Sequence, residues 1–357
     1  MTTTLKKLLS VLICCVLLVG MLAGCSSGGG GSTRSASGPA DRSQTLVVYT
    51  NSGTDGRREW LTEKAEEAGF KVNIMHLGGS ELTERLVAEK NNQIADVVFG
   101  LNAMNFERIK AQDILTPYKP AWADKVDLQL GDADGGYFHP IVIQALLLVY
   151  NTDYYTAQTA PKDFTDLQLG SQFEGHHILA VTGGTCQSIL SSMLIRYPDT
   201  NGLYGVSAEG WAMMESFIKS GVVNHADWWS EMMSGDLTLC MLWSSGLLQR
   251  MNEFNVSNFS YVIADVGAPY VVEQVAVCNN SKRQALAQEF VDWFGGAELQ
   301  AEWTRTFDTY PANKDAQSAA SQASQDLMNS VHKQDIDWGF VAGNVEYWIE
   351  KIMLEFI

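Results

Sequence analysis

This 357-residue chain is short of cysteine and of positive charge. Six cysteines are present, but Cys14 and Cys15 lie inside an N-terminal apolar run and Cys25 follows it closely. Cys186, Cys240 and Cys278 remain, an odd number that sets up no disulfide framework. Cys240 and Cys278 sit in apolar stretches and read as small buried hydrophobes. No C-x-x-C pair and no zinc-type Cys/His spacing occurs. His176 and His177 are adjacent, so on a strand their rings point apart, which suits a strand end better than a metal site. Against 41 Asp and Glu there are only 24 Lys and Arg, a formal charge of −17. That balance excludes nucleic acid and broad docking on anionic lipid. It leaves a small anionic ligand open, because local N–H groups act over a few ångströms while distant charges are screened. Catalytic patterns are missing as well. Cys186 and Ser188 stand at a predicted helix start, where a thiol pKa can be lowered. Yet no Gly-x-Ser-x-Gly elbow and no base with an orienting partner accompanies them, so the chain reads as a non-enzyme.

What is present begins at the N-terminus. Lys6 and Lys7 precede an apolar run from Leu8 to Leu22, and Leu22-Ala23-Gly24-Cys25 follows. A charged start, a short apolar run and small residues before a cut make a secretory signal. The run is short for a membrane span. Leu-Ala-Gly-Cys resembles a bacterial lipobox, which implies cleavage before Cys25 and diacylation of its sulfur; an ordinary signal with a chance cysteine is the alternative. Residues 1–24 are then a signal peptide, and 25–44 a lipidated cysteine with a flexible Ser/Gly linker. Ser26 to Ser43 carries Gly28 to Gly31 in a row and no apolar periodicity. A chain of that length and composition reaches roughly 20–25 Å. Loss of Lys6 and Lys7 with the signal leaves a charge of −19.

From Thr45 onward the pattern is strand, turn, helix. Leu46 to Tyr49 is a short apolar strand stopped by Asn51-Ser52-Gly53-Thr54, and a helix bearing Trp60, Leu61 and Ala65 ends at Gly69. Phe70 to Met75 is a second strand. Gly78-Gly79-Ser80 then opens a helix with Ser80 as its expected N-cap and Glu81 in its positive first turn. Ala95 to Phe99 is a third strand closed by Gly100. Strands alternating with helices predict a largely parallel sheet, whose ligands gather at the carboxyl ends of the strands. The loops Asn51–Thr54, Gly79–Ser80 and Gly100–Asn102 are therefore expected on one edge. A fourth such turn lies at 178–190. Ile178 to Val181 reads as a buried strand, broken by Thr182-Gly183-Gly184, and Thr185 or Ser188 is expected to cap the helix that follows. Its unpaired N–H groups at the positive end of a dipole suit an anion.

Leu-Val-Val-Tyr-Thr at 46–50, Gly-Gly-Ser-Glu-Leu at 78–82, Ala-Asp-Val-Val at 95–98 and Ile-Leu-Thr-Pro-Tyr at 114–118 resemble solute-binding proteins of bacterial ABC importers. The branch is the one holding ferric-ion, phosphonate, sugar-phosphate and thiamine binders. The resemblance runs on through Ala145–Asp153, Gly183-Gly184-Thr185, Gly235–Gly246, Phe290–Phe294 and Tyr310-Pro311-Ala312-Asn313, and covers nearly all of 45–357. It implies an α/β, two-lobe periplasmic-binding-protein fold (type 2), with two lobes joined by crossing strands near Ile141–Tyr150 and Tyr270–Cys278. Lobe one is expected at 45–138 plus 269–311, and lobe two at 139–268 plus 312–357. Within these, 207–220 is expected as a surface helix, Ser281-Lys-Arg-Gln284 as a capping box, and the last helix as a cover over a core.

The resemblance also supplies a test of ligand. Ferric binders of this family hold metal with a His after the first strand, a carboxylate after the third and two adjacent tyrosines in lobe two. Here Asn51–Thr54 has no His, Gly100-Leu101-Asn102 has no carboxylate, and Leu242-Trp243-Ser244-Ser245 carries serines. Neutral hydroxyls do not offset the charge of Fe³⁺. The cleft is expected to hold Asn51, Ser52, Thr54, Gly79, Ser80, Asn102, Thr182, Gly183, Gly184, Thr185, Ser244 and Ser245, donors suited to phosphate, phosphonate or carboxylate oxygens. Trp243 is a candidate wall for the rest of the solute, and Trp228-Trp229 reads first as packing. Glu273 and His139, near the crossing strands, are candidates for an amino or hydroxyl group. The expected function is capture of a small anionic solute by a monomeric lipoprotein on the outer face of the cytoplasmic membrane, for delivery to an ABC permease. No cofactor and no metal is expected. Ferric iron, and reporting of a solute to a membrane sensor, are the alternatives.

Overall fold

The computed structural model describes residues 40–54 and 56–357. The expected signal peptide, the lipidation site Cys25 and most of the linker lie outside the described residues.

The first third of the fold is a run of strand–helix units. Strands β1 (Thr45–Thr50), β2 (Lys71–His76) and β3 (Val97–Phe99) alternate with helices α1 (Arg57–Glu67), α2 (Gly79–Ala88) and α3 (Ala103–Lys110), with the two-residue β4 (Leu115–Thr116) after them. β1 lies between β2 and β3 and is parallel to both, so their carboxyl ends share one edge, as expected. The middle of the chain adds β5 (His139–Asn151), β6 (His176–Ile178), α4 (Gly184–Leu194), β7 (Pro198–Leu203), α5 (Ala208–Ser220), β8 (Gly221–Val223), α6 (Trp228–Ser234), β9 (Leu239–Trp243), α7 (Ser244–Glu253) and β10 (Phe259–Tyr261). β11 (Tyr270–Cys278), α8 (Gln284–Phe294), α9 (Ala297–Phe307), β12 (Tyr310–Pro311), α10 (Gln322–Ser330) and α11 (Trp338–Glu355) complete it.

The strand order β2-β1-β3-β11-β5-β9-β6-β8 shows how the chain is wound. A parallel set at one end (β2, β1, β3) and another at the other (β9, β6, β8) meet through two long antiparallel strands, β5 and β11. These are the crossing strands. All 13 residues of β5 are buried, which is why its sequence is a continuous apolar run and not an alternating one. β11 carries a bulge between Glu273 and Gln274, a device that turns a side chain away from the regular pleat. One apolar core, with Phe99, Phe290, Phe294 and Trp303, lies beside β1, β3 and β11. Another, with Leu148, Ile189, Phe217, Met241 and Trp348, lies beside β5, β6 and β9. Met104 of α3 belongs to the second core, and α11 packs on both α3 and α4. The last helix thus touches elements of both sheet ends. Among the described residues no helix is long and apolar enough to cross a membrane.

Several local expectations are corrected. Ser80 does not cap α2: Gly78 is the N-cap, and Ser80 lies inside the first turn. β6 ends at Ile178, so Val181 is outside the strand, and α4 is capped by neither Thr185 nor Ser188. Its N-cap is Gly183, and the Ser188 hydroxyl donates back to Gly184 O at 2.8 Å. Ser281 and Gln284 form no capping box. Asp96, buried between β3 and α8, accepts from the Ser281 hydroxyl at 2.5 Å and forms an ion pair with Arg283, while Gln284 reaches back to Cys278 O. A buried carboxylate binds its donors more strongly than a helix terminus does. By contrast, Ser207 does cap α5, whose Trp211, Met214, Phe217 and Ile218 are buried.

Candidate functional site

The site is built from turns that leave the carboxyl ends of strands. After β1 the chain turns through Asn51 and Ser52, and the Ser52 hydroxyl donates to Glu273 Oε2 at 2.7 Å. Gly79 and Gly100 stand beside them. A Cβ on Gly79 would lie 3.5 Å from Asn51 Nδ2, and one on Gly100 would lie 2.7 Å from Asn51 Oδ1 and 2.8 Å from Ser52 Oγ. Gly100 also has φ +94°, so both space and backbone demand glycine there. Asn51, Ser52, Gly79 and Glu273 therefore form one cluster, with two members that sequence reasoning missed. His76, the last residue of β2, accepts the Gly53 N–H on Nδ1 at 3.2 Å. Arg57, the first residue of α1, lies close enough to attract the Glu273 carboxylate. Its Nε is buried without a hydrogen-bond partner, and it forms no ion pair among the described residues. Both follow a strand or turn already singled out, and position at a strand's carboxyl end was the available signal. Thr54 is exposed beside this cluster.

Glu273 is half-buried. Loss of water around it pushes its carboxyl above the usual carboxylate range, against the opposing pull of Arg57 and of the Ser52 hydrogen bond. Register places a second group on the same face. Glu273 pairs with Val142 and Val271 with Gln144, so Glu273 and Gln144 are diagonal neighbours on one side of the crossing strands. Gln144 Oε1 accepts from the Ser244 hydroxyl at 3.0 Å and from Ser245 N at 3.2 Å. The Ser244 oxygen in turn accepts from Ala145 N at 3.2 Å. Ser244 is thus occupied inside the protein. Trp243 is half-buried against both apolar cores, and its indole lies where a Cβ on Gly246 would sit.

The remaining candidates fall in other places. Asn102 caps α3 by accepting from Asn105 N at 3.0 Å. Its Nδ2 would lie 3.5 Å from a Cβ on Gly184, so the start of α4 faces α3 from the other end of the sheet. Asn102 lines a cavity of about 190 Å³ with Tyr270, Val272 and Lys333. Tyr270 and Val272 alternate with Glu273 along β11, on its other side. Ser80 and Thr182 line a third, outer space of about 420 Å³ with Arg108, Gln187, Glu346 and Ile349. The expected single cluster of hydroxyls is therefore distributed. Thr182 and Gly183 are exposed, and Thr185 is half-buried in the first turn of α4.

Helices α2, α4 and α7 all begin without a side-chain cap. Among the described residues their first-turn N–H groups meet no side-chain acceptor, apart from Ser245 N on Gln144, and each helix start adds a partial positive charge. Helix starts of this kind suit an anion. His139 is buried and turned inward, its Nε2 2.6 Å from Tyr118 O, so it does not serve as a solute contact. Trp229 is core, and Trp228 stacks on His177 with centroids 4.6 Å apart, as the packing reading expected. Cys186 is buried, and its thiol is pushed up to about 12, so a reactive thiolate at the start of α4 is ruled out. Among the described residues no group of three or more His, Cys, Asp or Glu is placed to hold a metal ion.

With this geometry in place, comparison with known proteins adds the following. A family model described as bacterial extracellular solute-binding protein matches residues 59–329. A probable ABC transporter periplasmic-binding protein, y4fP of Sinorhizobium fredii, is 32% identical over 316 residues, 88% of this chain and 87% of its own. An Fe(3+)-binding periplasmic protein of Serratia marcescens is 24% identical over 264 residues, 73% of this chain and 76% of its own. Iron-bound HitA from Pseudomonas aeruginosa superposes with a TM-score of 0.74 at 17% identity, covering 87% of this chain and 99% of HitA. AfuA from Actinobacillus pleuropneumoniae, solved with fructose-6-phosphate bound, gives a TM-score of 0.68 at 16% identity over 87% of this chain and 98% of AfuA. These superpositions show a periplasmic-binding-protein fold like that of ferric-binding proteins.

Proposed function

Because the chain belongs to the bacterial extracellular solute-binding proteins, and so to the solute receptors of ABC importers, we propose that its solute is a small organic anion of phosphate or phosphonate type. The observation that carries this reading is the start of α4. Gly183-Gly184-Thr185 leaves first-turn N–H groups without a side-chain cap and sets them opposite Asn102. The uncapped starts of α2 and α7 add donors of the same kind. Ser52, Thr185, Ser245 and Arg57 are the side chains best suited to complete the shell, and Gln144 orients Ser245. In this reading, residues 45–138 with 269–311 form one lobe and 139–268 with 312–357 the other, and they close on the solute about β5 and β11. Cys25 carries the lipid that holds the receptor beside its permease on the outer face of the membrane.

Ferric iron is the second reading. It is favoured by the relatives, which are mostly ferric-binding proteins by name, and by His76 and Glu273 beside the Asn51–Gly53 turn. Against it, two such side chains leave most of the coordination of Fe³⁺ to be supplied by a co-bound anion.

Native mass spectrometry of the full chain purified from its host, followed by denaturation and identification of what is released, separates the two. A released organic phosphate or phosphonate is the expected result. Iron with a small chelating anion would establish the second reading in its place.

A further inference from the structure

Helix α3 is divided between the two ends of the sheet. Its Phe106 and Ile109 pack with Tyr49, Leu82 and Val98 beside β1 and β3. Its Met104, only 1% exposed, is buried instead in the second core, with Val341, Val345, Trp348 and Ile349 of α11. Among the described residues before β5, Met104 alone joins that core. One turn on, Arg108 forms ion pairs with Glu84 of α2 at 2.9 Å and with Glu346 of α11. Residues 104 and 108 share a face of α3, and 345 and 349 share a face of α11. An apolar contact and a charged one therefore lie side by side between the two helices. α11 itself is fixed to the other end of the sheet. The Trp348 indole donates to Tyr204 O at 3.0 Å, and Lys351 lies over the Trp211 ring.

Moving the two ends apart about β5 and β11 takes Met104 out of an apolar core and into water. We propose that α11 is a latch, whose contact with Met104 and Arg108 of α3 keeps the receptor closed before any solute enters. This rests on the two-lobe reading above and not on the identity of the solute. Met104 carries most of the effect. Burial of a methionine side chain is worth a factor of roughly 10–100 in the ratio of closed to open forms. The Glu84 and Glu346 side chains are each 64% exposed, so their pairs with Arg108 add roughly two- to fivefold and are screened by salt. The same contact is made with the site empty or filled. The latch therefore slows entry and release alike and leaves affinity little changed.

Double electron–electron resonance on the full chain in detergent, with no solute added, tests this. Spin labels at Glu66→Cys on α1 and Glu209→Cys on α5, both exposed, report the separation of the two ends. Cys14, Cys15 and Cys25 are changed to serine, and Cys186, Cys240 and Cys278 are buried, so only the two new positions react. With Met104 in place a single short distance is expected, and Met104→Leu should keep it. Met104→Ala should populate a longer distance at least about fivefold more. Adding Glu346→Arg to Met104→Ala should raise that population roughly twofold again at about 0.1 M salt, and much less at about 1 M. An α3 that had merely unfolded would not respond to that exposed charge. A longer distance already dominant with Met104 in place, or a single short distance kept by Met104→Ala and by the double variant, overturns the latch. Neither result touches the anion reading, because no solute enters the measurement.

Discussion

Ser52 and Ser244 occupy matching places at the two ends of one sheet. Each follows a strand at its carboxyl end, and each donates its hydroxyl to a side chain on a crossing strand. What they hold differs. Ser52 holds Glu273, a half-buried carboxylate near the Arg57 guanidinium, which lies over the Phe307 ring. Ser244 holds Gln144, a buried neutral amide whose oxygen also accepts from Ser245 N. The first pair carries charge that a solute can answer, and the second is closed and serves as scaffold. Two serines of similar sequence context thus have different duties, decided by what the crossing strand presents.

The largest expected effect that sharpens this contrast is at Gly100. Gly100→Ala puts a methyl group 2.7 Å from Asn51 Oδ1 at a φ of +94°. A loss of roughly 2–3 kcal/mol in urea unfolding is expected, together with loss of solute affinity. Unchanged stability would show that the Asn51–Ser52 turn is not as tightly packed as described.

The scaffold pair comes next. Ser244→Ala removes the hydroxyl that serves both Ala145 N and Gln144, and about 2 kcal/mol of stability should go with it. Ser52→Ala should lose only about 1 kcal/mol but weaken solute binding more than Ser244→Ala does. A reversed order, in unfolding or in titration, would break the assignment of charge-bearing and scaffold roles.

Dependence on pH separates the halves in another way. Glu273 has its carboxyl raised, so the stability it contributes is present below the ordinary value of 4.5 and is lost as pH rises through the raised one. Glu273→Gln should therefore gain on wild type above that range and converge with it in acid. His176, packed on Phe217, is lowered by burial to about 4. Its contribution is full above 6.5 and fades as pH falls through 4. Thermal melts of both proteins between pH 4 and 8 measure the two limbs, and parallel curves would remove Glu273 as the source of the upper one.

The smallest effect is at Gly184, the first residue of α4. A Cβ there meets Asn102 Nδ2 at 3.5 Å, an ordinary contact, and the residue is helical. Gly184→Ala should change stability by no more than about 0.5 kcal/mol, in the favourable direction. A clear loss in the same unfolding assay would mean that α3 and α4 approach more closely than the structure has them.

Much of this architecture was readable before any coordinates. Alternation of short apolar runs with amphipathic stretches marked β1 to β3 and their helices, and a nine- and a thirteen-residue strand occur where the crossings were expected. Helix caps were less readable. Ser80 and Ser281 have the right chemistry for a cap, but glycine at 78 and the buried Asp96 changed the local competition. The candidate site was legible as a set of loops and not as a cluster. Asn51, Ser52 and Gly79 do assemble, whereas Ser80 and Thr182 line an outer space with Arg108, and Asn102 looks onto the other side of β11.

The sequence by itself determined the strand–turn–helix units, the acidic charge balance and the odd set of cysteines, free among the described residues, because periodicity, charge and cysteine number are local or additive properties. Only the tertiary structure decided which donors remain available. His76 and Arg57 joined the Asn51–Ser52 turn because parallel strands end on one edge, and Ser244 was taken out of play because register sets Gln144 beside it. Hydrogen-bond partners 100 and 221 residues apart in the chain are fixed by how strands cross, and no spacing within a loop encodes that.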